Sequence, residues 1–162
     1  MRGTMSNETR ASPRTMPKRG IVARYLNEFR LASYVLVIFA LGHTLGAVVQ
    51  TPHFGEESDT VVSAMKFTYV KVQGVDRTWY GFYRGFGILV AVFFVFSAVL
   101  TWHLGGMTTA DRRRFAAVTW ALFLAYVVSV TVSWKYFFPV PLSFSIALVI
   151  LLGWAAIHSL KQ

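Results

Sequence analysis

The feature that most constrains this chain is the apolar stretch from Trp79 to Leu100, WYGFYRGFGILVAVFFVFSAVL, in which Arg84 is the one charged residue. An α-helix needs about 20 predominantly apolar residues to cross the hydrocarbon core of a bilayer. Within that core, a single segment can satisfy its own backbone hydrogen bonds only as a helix. We therefore predict a membrane-spanning helix over residues 79–102.

Three further apolar stretches of similar length cover residues 31–50, 115–134 and 142–158. The composition agrees with them, because 55% of the 162 residues are hydrophobic and 16% are aromatic, which is unusual in a soluble domain. We predict an all-α membrane protein built as a bundle of four transmembrane helices. Its membrane domain occupies residues 31–162, and a basic tail with an interfacial lead-in precedes it over residues 1–30.

The long loop between the first two spans, residues 51–78, carries its own helical signal. Its acidic residues lie near its start, where they favour the beginning of a helix. Apolar residues with helical spacing follow them, and Gly74 comes after the last. We predict an amphipathic helix of about four turns that lies over the outer mouth of the bundle. Its apolar positions are Val61, Val62, Met65, Tyr69 and Val72.

The distribution of basic residues predicts how the bundle is oriented. Seven lysines and arginines precede the first span, three lie between the second and third spans, and one follows the fourth. By the positive-inside rule, both termini are expected to be cytoplasmic and the long loop external. The arginine-rich start also resembles a mitochondrial transit peptide, but a cytoplasmic tail is the preferred interpretation.

Charge and cysteine content exclude several kinds of function. The net charge of +9 invites a nucleic-acid interpretation, which we reject because the positive charge clusters beside the spans and no nucleic-acid motif is present. The chain has no cysteine, which excludes disulfides, thiolate metal sites and iron–sulfur clusters. We predict no metal site and no cofactor.

Arg84 and His43 are the residues in the spans that carry the most chemical information. Arg84 lies about 8 Å, and His43 about 10 Å, from the outer end of its helix at the α-helical rise. Because these two helices run antiparallel, the two side chains are expected at nearly the same depth. Both lie on helix faces rich in small residues, which favour packing, so we expect both to point into the bundle, unless the Arg84 side chain snorkels towards the membrane surface. On the second span that face comprises Gly81, Arg84, Gly87 or Ile88, Ala91, Val95 and Ala98.

These positions predict a polar pocket in the outer half of the bundle. Hydroxyl groups of the third and fourth spans should also lie at that depth, while the inner half is nearly pure hydrocarbon. In an alternative interpretation these hydroxyl groups only bond to neighbouring backbone and no ligand binds. Arg84 then forms a structural ion pair with Asp76 or Glu57. The candidate ligand-binding residues are His43, Thr44, Tyr80, Tyr83 and Arg84.

Two other histidines permit a different interpretation. His103 and His158 are predicted at the cytoplasmic ends of the second and fourth spans, and two histidines on facing helices can ligate b-type haem. Interfacial histidines more often reach water, and neither residue belongs to a larger ligand cluster. Haem therefore remains a minor alternative.

Two segments resemble a group of small uncharacterised bacterial four-span integral membrane proteins. They are Leu41–Gly46, LGHTLG, followed by Thr51-Pro52 and Phe54-Gly55, and Asp76–Gly87, DRTWYGFYRGFG. The resemblance runs from the first span through the second and implies a bacterial inner-membrane protein without indicating an activity. The four-span size is also similar to that of sterol-isomerase-like membrane domains, but their intramembrane acids are missing here.

Two functional hypotheses follow. In the first, the protein binds a lipid-like or quinone-like amphiphile in the outer-half pocket, or serves as an accessory subunit of a membrane complex. In the second, it is an isomerase-like or transferase-like enzyme that acts on such an amphiphile. His43 would then be the acid or base, Arg84 would stabilise developing negative charge, and Tyr83 would assist. The expected partners are membrane lipid and a larger membrane-protein complex or a second copy of the chain.

Overall fold

The computed structural model describes residues 27–50 and 53–161, with side chains as far as His158. The predicted basic tail, up to residue 26, and the Thr51-Pro52 pair lie outside the described residues. Four helices are long and apolar enough to cross a membrane, which confirms the predicted four-span, all-α architecture. These are the first to fourth spans: Glu28–Val49, Trp79–Gly106, Ala116–Tyr136 and Pro139–His158.

The first span changes its helical form part-way along. Helix α1, Glu28–His43, begins at Asn27, whose side chain accepts a hydrogen bond from the Arg30 backbone amide. This bond satisfies one of the amides that a helix start leaves without a partner. After His43, the chain continues as a π-helical segment, Thr44–Val49. Such wider turns are rare and occur frequently at functional sites.

The loop contains the predicted amphipathic helix, but this helix is shorter than expected and a hairpin follows it. Helix α2, Glu56–Phe67, has its acidic residues in the first turn, and an antiparallel pair of strands, β1 Tyr69–Val72 and β2 Val75–Thr78, follows it. The turn between the strands is formed by Gln73, with φ of 50°, and Gly74, with φ of 83°. Two consecutive residues with positive φ form the turn that fits the twist of a two-residue hairpin. The prediction that Tyr69 and Val72 continue the helix was therefore wrong.

The remaining spans begin at recognisable signals. Helix α3, Trp79–Gly106, directly follows β2, and the Thr78 hydroxyl accepts a hydrogen bond from the Gly81 amide. Thr108 caps the short helix α4, Thr109–Arg114, because its hydroxyl accepts from the Asp111 amide at 3.2 Å and donates to the Asp111 carboxylate at 2.7 Å. Helix α5, Ala116–Tyr136, is the third span. Helix α6, Pro139–Lys161, contains the fourth.

The spans pack in the spatial order second, first, fourth, third. The first span therefore lies between the second and the fourth. Phe39 marks this arrangement, since its ring stacks on Phe94 of the second span and on Phe144 of the fourth, with centroid distances of 4.2 and 4.7 Å. The third and fourth spans form their own close pair. Their buried contributions to the core include Leu122, Tyr126, Leu148, Leu152 and Ala155.

The two ends of the bundle differ in chemistry. The end that carries residues 53–78 is called the loop end, and the end that carries Asn27–Arg30 and α4 is called the basic end. The second span is the least buried of the four, and its fully buried residues, from Ser97 to Gly105, all lie towards the basic end. Towards the loop end it therefore exposes most of its surface.

Candidate functional site

His43 lies where α1 changes into the π-helical segment, and it faces the second span. Its ring is half-buried, and Nε2 is 3.0 Å from the backbone oxygen of Gly87. A carbonyl oxygen only accepts, so Nε2 carries a proton and donates it. The edge of the ring also meets Phe94, with a centroid distance of 5.7 Å. His43 is thus held on the packing side of its helix, as predicted.

Gly87 allows the first two spans to approach closely beside His43. A Cβ atom at this position would lie 3.3 Å from Cγ2 of Val48 and 4.0 Å from Nε2 of His43. A side chain at this position would therefore require Val48 to shift by a few tenths of an ångström. Small residues at such crossings are what bring membrane helices together when no hydrophobic driving force does so.

An apolar groove lies between the π-helical segment and the second span. It has a volume of about 380 Å³, and Thr44 is the one polar residue among those that line it. Most of its lining side chains are exposed on the outside of the bundle, so the groove opens towards the surrounding lipid. This differs from the polar, inward pocket that the hydroxyl pattern predicts. The lining residues are Thr44, Val48, Ile88, Ala91, Val92, Val95 and Phe96.

Arg84 stands at the loop end of this groove. It lies one helical turn before Ile88 and two turns before Ala91, so it shares their side of the helix. Its side chain is exposed, which differs from the expected inward orientation. Arg84 therefore lies one turn nearer the loop end than the groove, although it is not among the residues that line it.

The predicted ion pair of Arg84 does not form in the structure. Within residues 27–50 and 53–161, ion pairs join His53 to Asp59 at 2.7 Å and Arg112 to Glu28 at 3.6 Å, and none joins Arg84 to Glu57 or Asp76. Both of these acids are exposed. The charge of Arg84 is therefore not neutralised by either of the carboxylates that the sequence suggested.

Two tyrosines connect this region to the loop. Tyr80 and Tyr83 stack with a centroid distance of 6.2 Å, and the Lys66 ammonium of α2 lies 5.1 Å from the Tyr80 ring. Helix α2 also packs on the second span. The loop helix thus lies beside the start of the second span, close in sequence to Arg84.

The other predicted polar residues are used in packing or are exposed. Ser129 and Ser145 hydrogen bond to each other at 3.0 Å across the third and fourth spans, and Thr131 and Ser143 donate to carbonyls of their own helices. His158 bonds through Nδ1 to the Trp154 carbonyl, whereas His103 is exposed. In the described part of the chain, no three potential metal-ligating side chains form a cluster.

Sequence reasoning identified the depth of the site but missed the groove. The groove residues Ile88, Val92 and Val95 are of the same types as residues on any lipid-facing surface. No sequence pattern predicts the π-helical turns that form the opposite wall of the groove. A usable signal was the pairing of a small residue, Gly87, with His43 at equal depth on antiparallel helices.

Taken chemically, the site offers a cation at the membrane surface, an apolar groove beneath it and a histidine whose Nε2 proton is already engaged. That combination suits binding of an amphiphilic molecule better than proton transfer, because a general acid or base must reach its substrate within hydrogen-bonding distance. Comparison of the chain with protein-family models, with curated protein sequences and with solved structures gave no match.

Proposed function

We propose that this protein binds an amphiphile with an anionic head, the head at Arg84 and the tail in the groove below it. The observation that carries the proposal is the position of the exposed Arg84 one helical turn nearer the loop end than Ile88, which lines an apolar groove. A guanidinium forms its strongest hydrogen bonds with carboxylate or phosphate oxygens. The ligand class is therefore an acidic lipid or a similar acidic isoprenoid.

The groove matches a tail better than a whole ligand. Its volume of about 380 Å³ is near the lower end of the range of roughly 300–1,000 Å³ for small-molecule sites. It is lined almost wholly by aliphatic and aromatic side chains, which suit an acyl or isoprenoid chain. A quinone-like ligand would place a carbonyl rather than a charge at Arg84, and a neutral acceptor forms the weaker hydrogen bond.

The membrane context completes the proposal. The basic end would face the cytoplasm of a bacterium and the loop end the outside of its inner membrane, since lysine and arginine are retained on the cytoplasmic side. We also propose that the chain is a member of the hypothetical four-span family that the LGHTLG and DRTWYGFYRGFG segments suggest.

A role as an accessory subunit is a second candidate, and the exposure of the second span favours it. This helix exposes large apolar residues around much of its circumference, including Phe86, Phe93 and Phe96. A partner helix could cover them. The enzymatic alternative has less support, because His43 already donates its Nε2 proton to the Gly87 carbonyl.

The test compares what co-purifies with three forms of the protein in mild detergent, measured by mass spectrometry. The wild type should retain an acidic amphiphile. The amount retained by Arg84→Ala should be smaller by a factor of about ten or more, since a hydrogen bond to a charged group contributes about 1.5–3 kcal/mol. Arg77→Ala is the matched control, because Arg77 is an exposed arginine of the nearby hairpin whose Nη1 bonds only to the adjacent Asp76 carbonyl. It should retain the ligand.

The outcomes separate the candidates. Equal retention by Arg84→Ala and wild type would refute the head-group assignment, and a neutral quinone in the wild type would replace the ligand class. Co-migration with a larger complex after gentle solubilisation, with no bound amphiphile, would favour the accessory role. Turnover of the bound molecule that His43→Ala abolishes, while binding persists, would establish the enzyme.

A further inference from the structure

The three consecutive arginines of α4 have different environments, because one contacts other parts of the fold and two are exposed. Arg112 is engaged within the fold. Its Nη1 lies 3.6 Å from a Glu28 carboxylate oxygen, its Nε donates to the Met107 carbonyl at 3.2 Å, and its guanidinium lies 5.7 Å from the Phe29 ring. Arg112 therefore ties α4 to the start of the first span.

Arg113 and Arg114 are not used in this way. Both are exposed, and neither side chain takes part in a hydrogen bond or an ion pair with another residue of the described ranges 27–50 and 53–161. The nearest acid in the sequence, Asp111, is engaged at the helix start instead, where its carboxylate accepts from the Thr108 hydroxyl and its amide donates to the same hydroxyl. Within the described ranges, the two adjacent arginine side chains therefore have no carboxylate that neutralises them.

Both arginines line the same cavity. It has a volume of about 570 Å³, and its other lining residues are Thr109 and Ala110. The cavity lies at the basic end, since α4 joins the end of the second span to the start of the third. Phe115, which directly follows Arg114, is exposed and apolar, and the third span begins at Ala116. This places the cavity at the depth of lipid head groups, beside the hydrocarbon boundary.

We propose that Arg113 and Arg114 bind the phosphate of an anionic phospholipid in the leaflet at the basic end, with the Thr109 hydroxyl as a further donor. The planar guanidinium fork matches phosphate oxygens in a bidentate arrangement. Basic pockets of this kind at the cytoplasmic surface are suited to acidic lipid head groups. The exposed Phe115 ring indicates a lipid rather than free phosphate, because it offers a surface to the acyl chain.

The simpler explanation is that these arginines only fix the orientation of the chain. Orientation depends on positive charge near the span and not on the geometry of the charged group. The pair Arg113→Lys/Arg114→Lys keeps the charge but loses the bidentate fork, so it separates the two explanations. The pair Arg113→Gln/Arg114→Gln removes both features.

The experiment is native mass spectrometry of the full chain during titration with phosphatidylglycerol, phosphatidylcholine and inorganic phosphate in turn. Phosphatidylglycerol should bind the wild type in preference to phosphatidylcholine. Its affinity should fall about tenfold to thirtyfold in the glutamine pair, from the contribution expected of two basic residues at a membrane surface. The lysine pair should lose part of that affinity while circular dichroism shows an unchanged helix content.

Three results would overturn the proposal: equal binding of the two lipids, wild-type affinity in the glutamine pair, or wild-type affinity in the lysine pair. Displacement of phosphatidylglycerol by millimolar inorganic phosphate would assign the site to a soluble anion and refute the lipid. In the Arg84→Ala background, which removes the head-group contact proposed for the groove, the glutamine pair should show the same fold-loss of phosphatidylglycerol affinity. Failure of the proposed groove therefore leaves this test intact.

Discussion

Replacing Phe39 by alanine should loosen the bundle at the point where three spans meet. The Phe39 ring is only 7% exposed and is sandwiched between Phe94 and Phe144. The substitution removes the ring from both stacks at once. It should therefore weaken the attachment of the first span to the second and to the fourth.

The size of the effect follows from what surrounds the protein. In a water-soluble core, Phe→Ala costs about 3–5 kcal/mol, which includes the transfer of the ring from water. In a bilayer the lipid chains are as apolar as the core, so this transfer contributes little and packing dominates. Each aromatic contact contributes about 0.5–1.5 kcal/mol beyond area burial. The loss of two contacts should then reduce the free energy of unfolding by about 1–3 kcal/mol.

The measurement is unfolding of the purified protein in mixed micelles by increasing fractions of sodium dodecyl sulfate, followed by circular dichroism and tryptophan fluorescence. Phe93→Ala is the matched control. It removes the same ring from a position that is 60% exposed on the second span, next to Phe94, and should change stability by less than about 0.5 kcal/mol, as typical surface substitutions do. Equal losses in the two variants would refute the packing argument.

Two further predictions concern the loop end. His43→Ala should reduce the free energy of unfolding by about 1–3 kcal/mol, because it removes a hydrogen bond of up to about 1.7 kcal/mol in a membrane and an edge contact of about 0.5–1.5 kcal/mol with Phe94. The same unfolding measurement checks it, and a loss no larger than that of Phe93→Ala would contradict it. Gly74→Val should destabilise the hairpin by about 1–2 kcal/mol, since its φ of 83° disfavours a side chain. Hydrogen exchange should show lost protection in β1 and β2 with the spans unchanged, whereas retained protection would contradict the prediction.

The positions of the four spans could be predicted because hydrophobic length is a strong physical constraint. A span must bury about 20 apolar residues whatever its sequence details, and the four predicted ranges overlap the observed helices. The start of α4 was also readable, since Thr108 and Asp111 have the side chains and spacing of a capping box. These are local properties, and each depends on residues within one or two turns.

The hairpin could not be separated from a helix by periodicity alone. Tyr69 and Val72 continue the helical spacing of Met65, yet the segment from Tyr69 to Thr78 is rich in β-branched residues, and a Gln-Gly pair lies at its centre. Short apolar runs are ambiguous in this respect. The β-branched composition and the glycine favour strands. The chain forms strands here even though the apolar residues have helical spacing.

The site illustrates a second reason for incomplete prediction. The depth of His43 was readable from the helical rise, but its partner, the Gly87 carbonyl, is a backbone atom that no residue pattern reveals. The inward orientation expected of Arg84 was wrong, because it assumed that one face of the second span packs along its whole length. Apart from the close approach at Gly87, the buried residues of this helix lie nearer the basic end, among them Ser97, Ala98 and Thr101.

This uneven packing gives the lipid contact proposed for the groove a physical basis. Near the basic end the second span is anchored by buried small residues, including the Ser33 hydroxyl bonded to the Ala98 carbonyl at 2.8 Å. Near the loop end His43 supplies a single hydrogen bond to Gly87, and the neighbouring surface is a groove. A helix that leaves apolar surface uncovered within one chain must contact lipid or a partner there, because lipid chains fill any such gap. The groove below Arg84 is thus the place where a bound amphiphile would complete the packing that the protein itself leaves open.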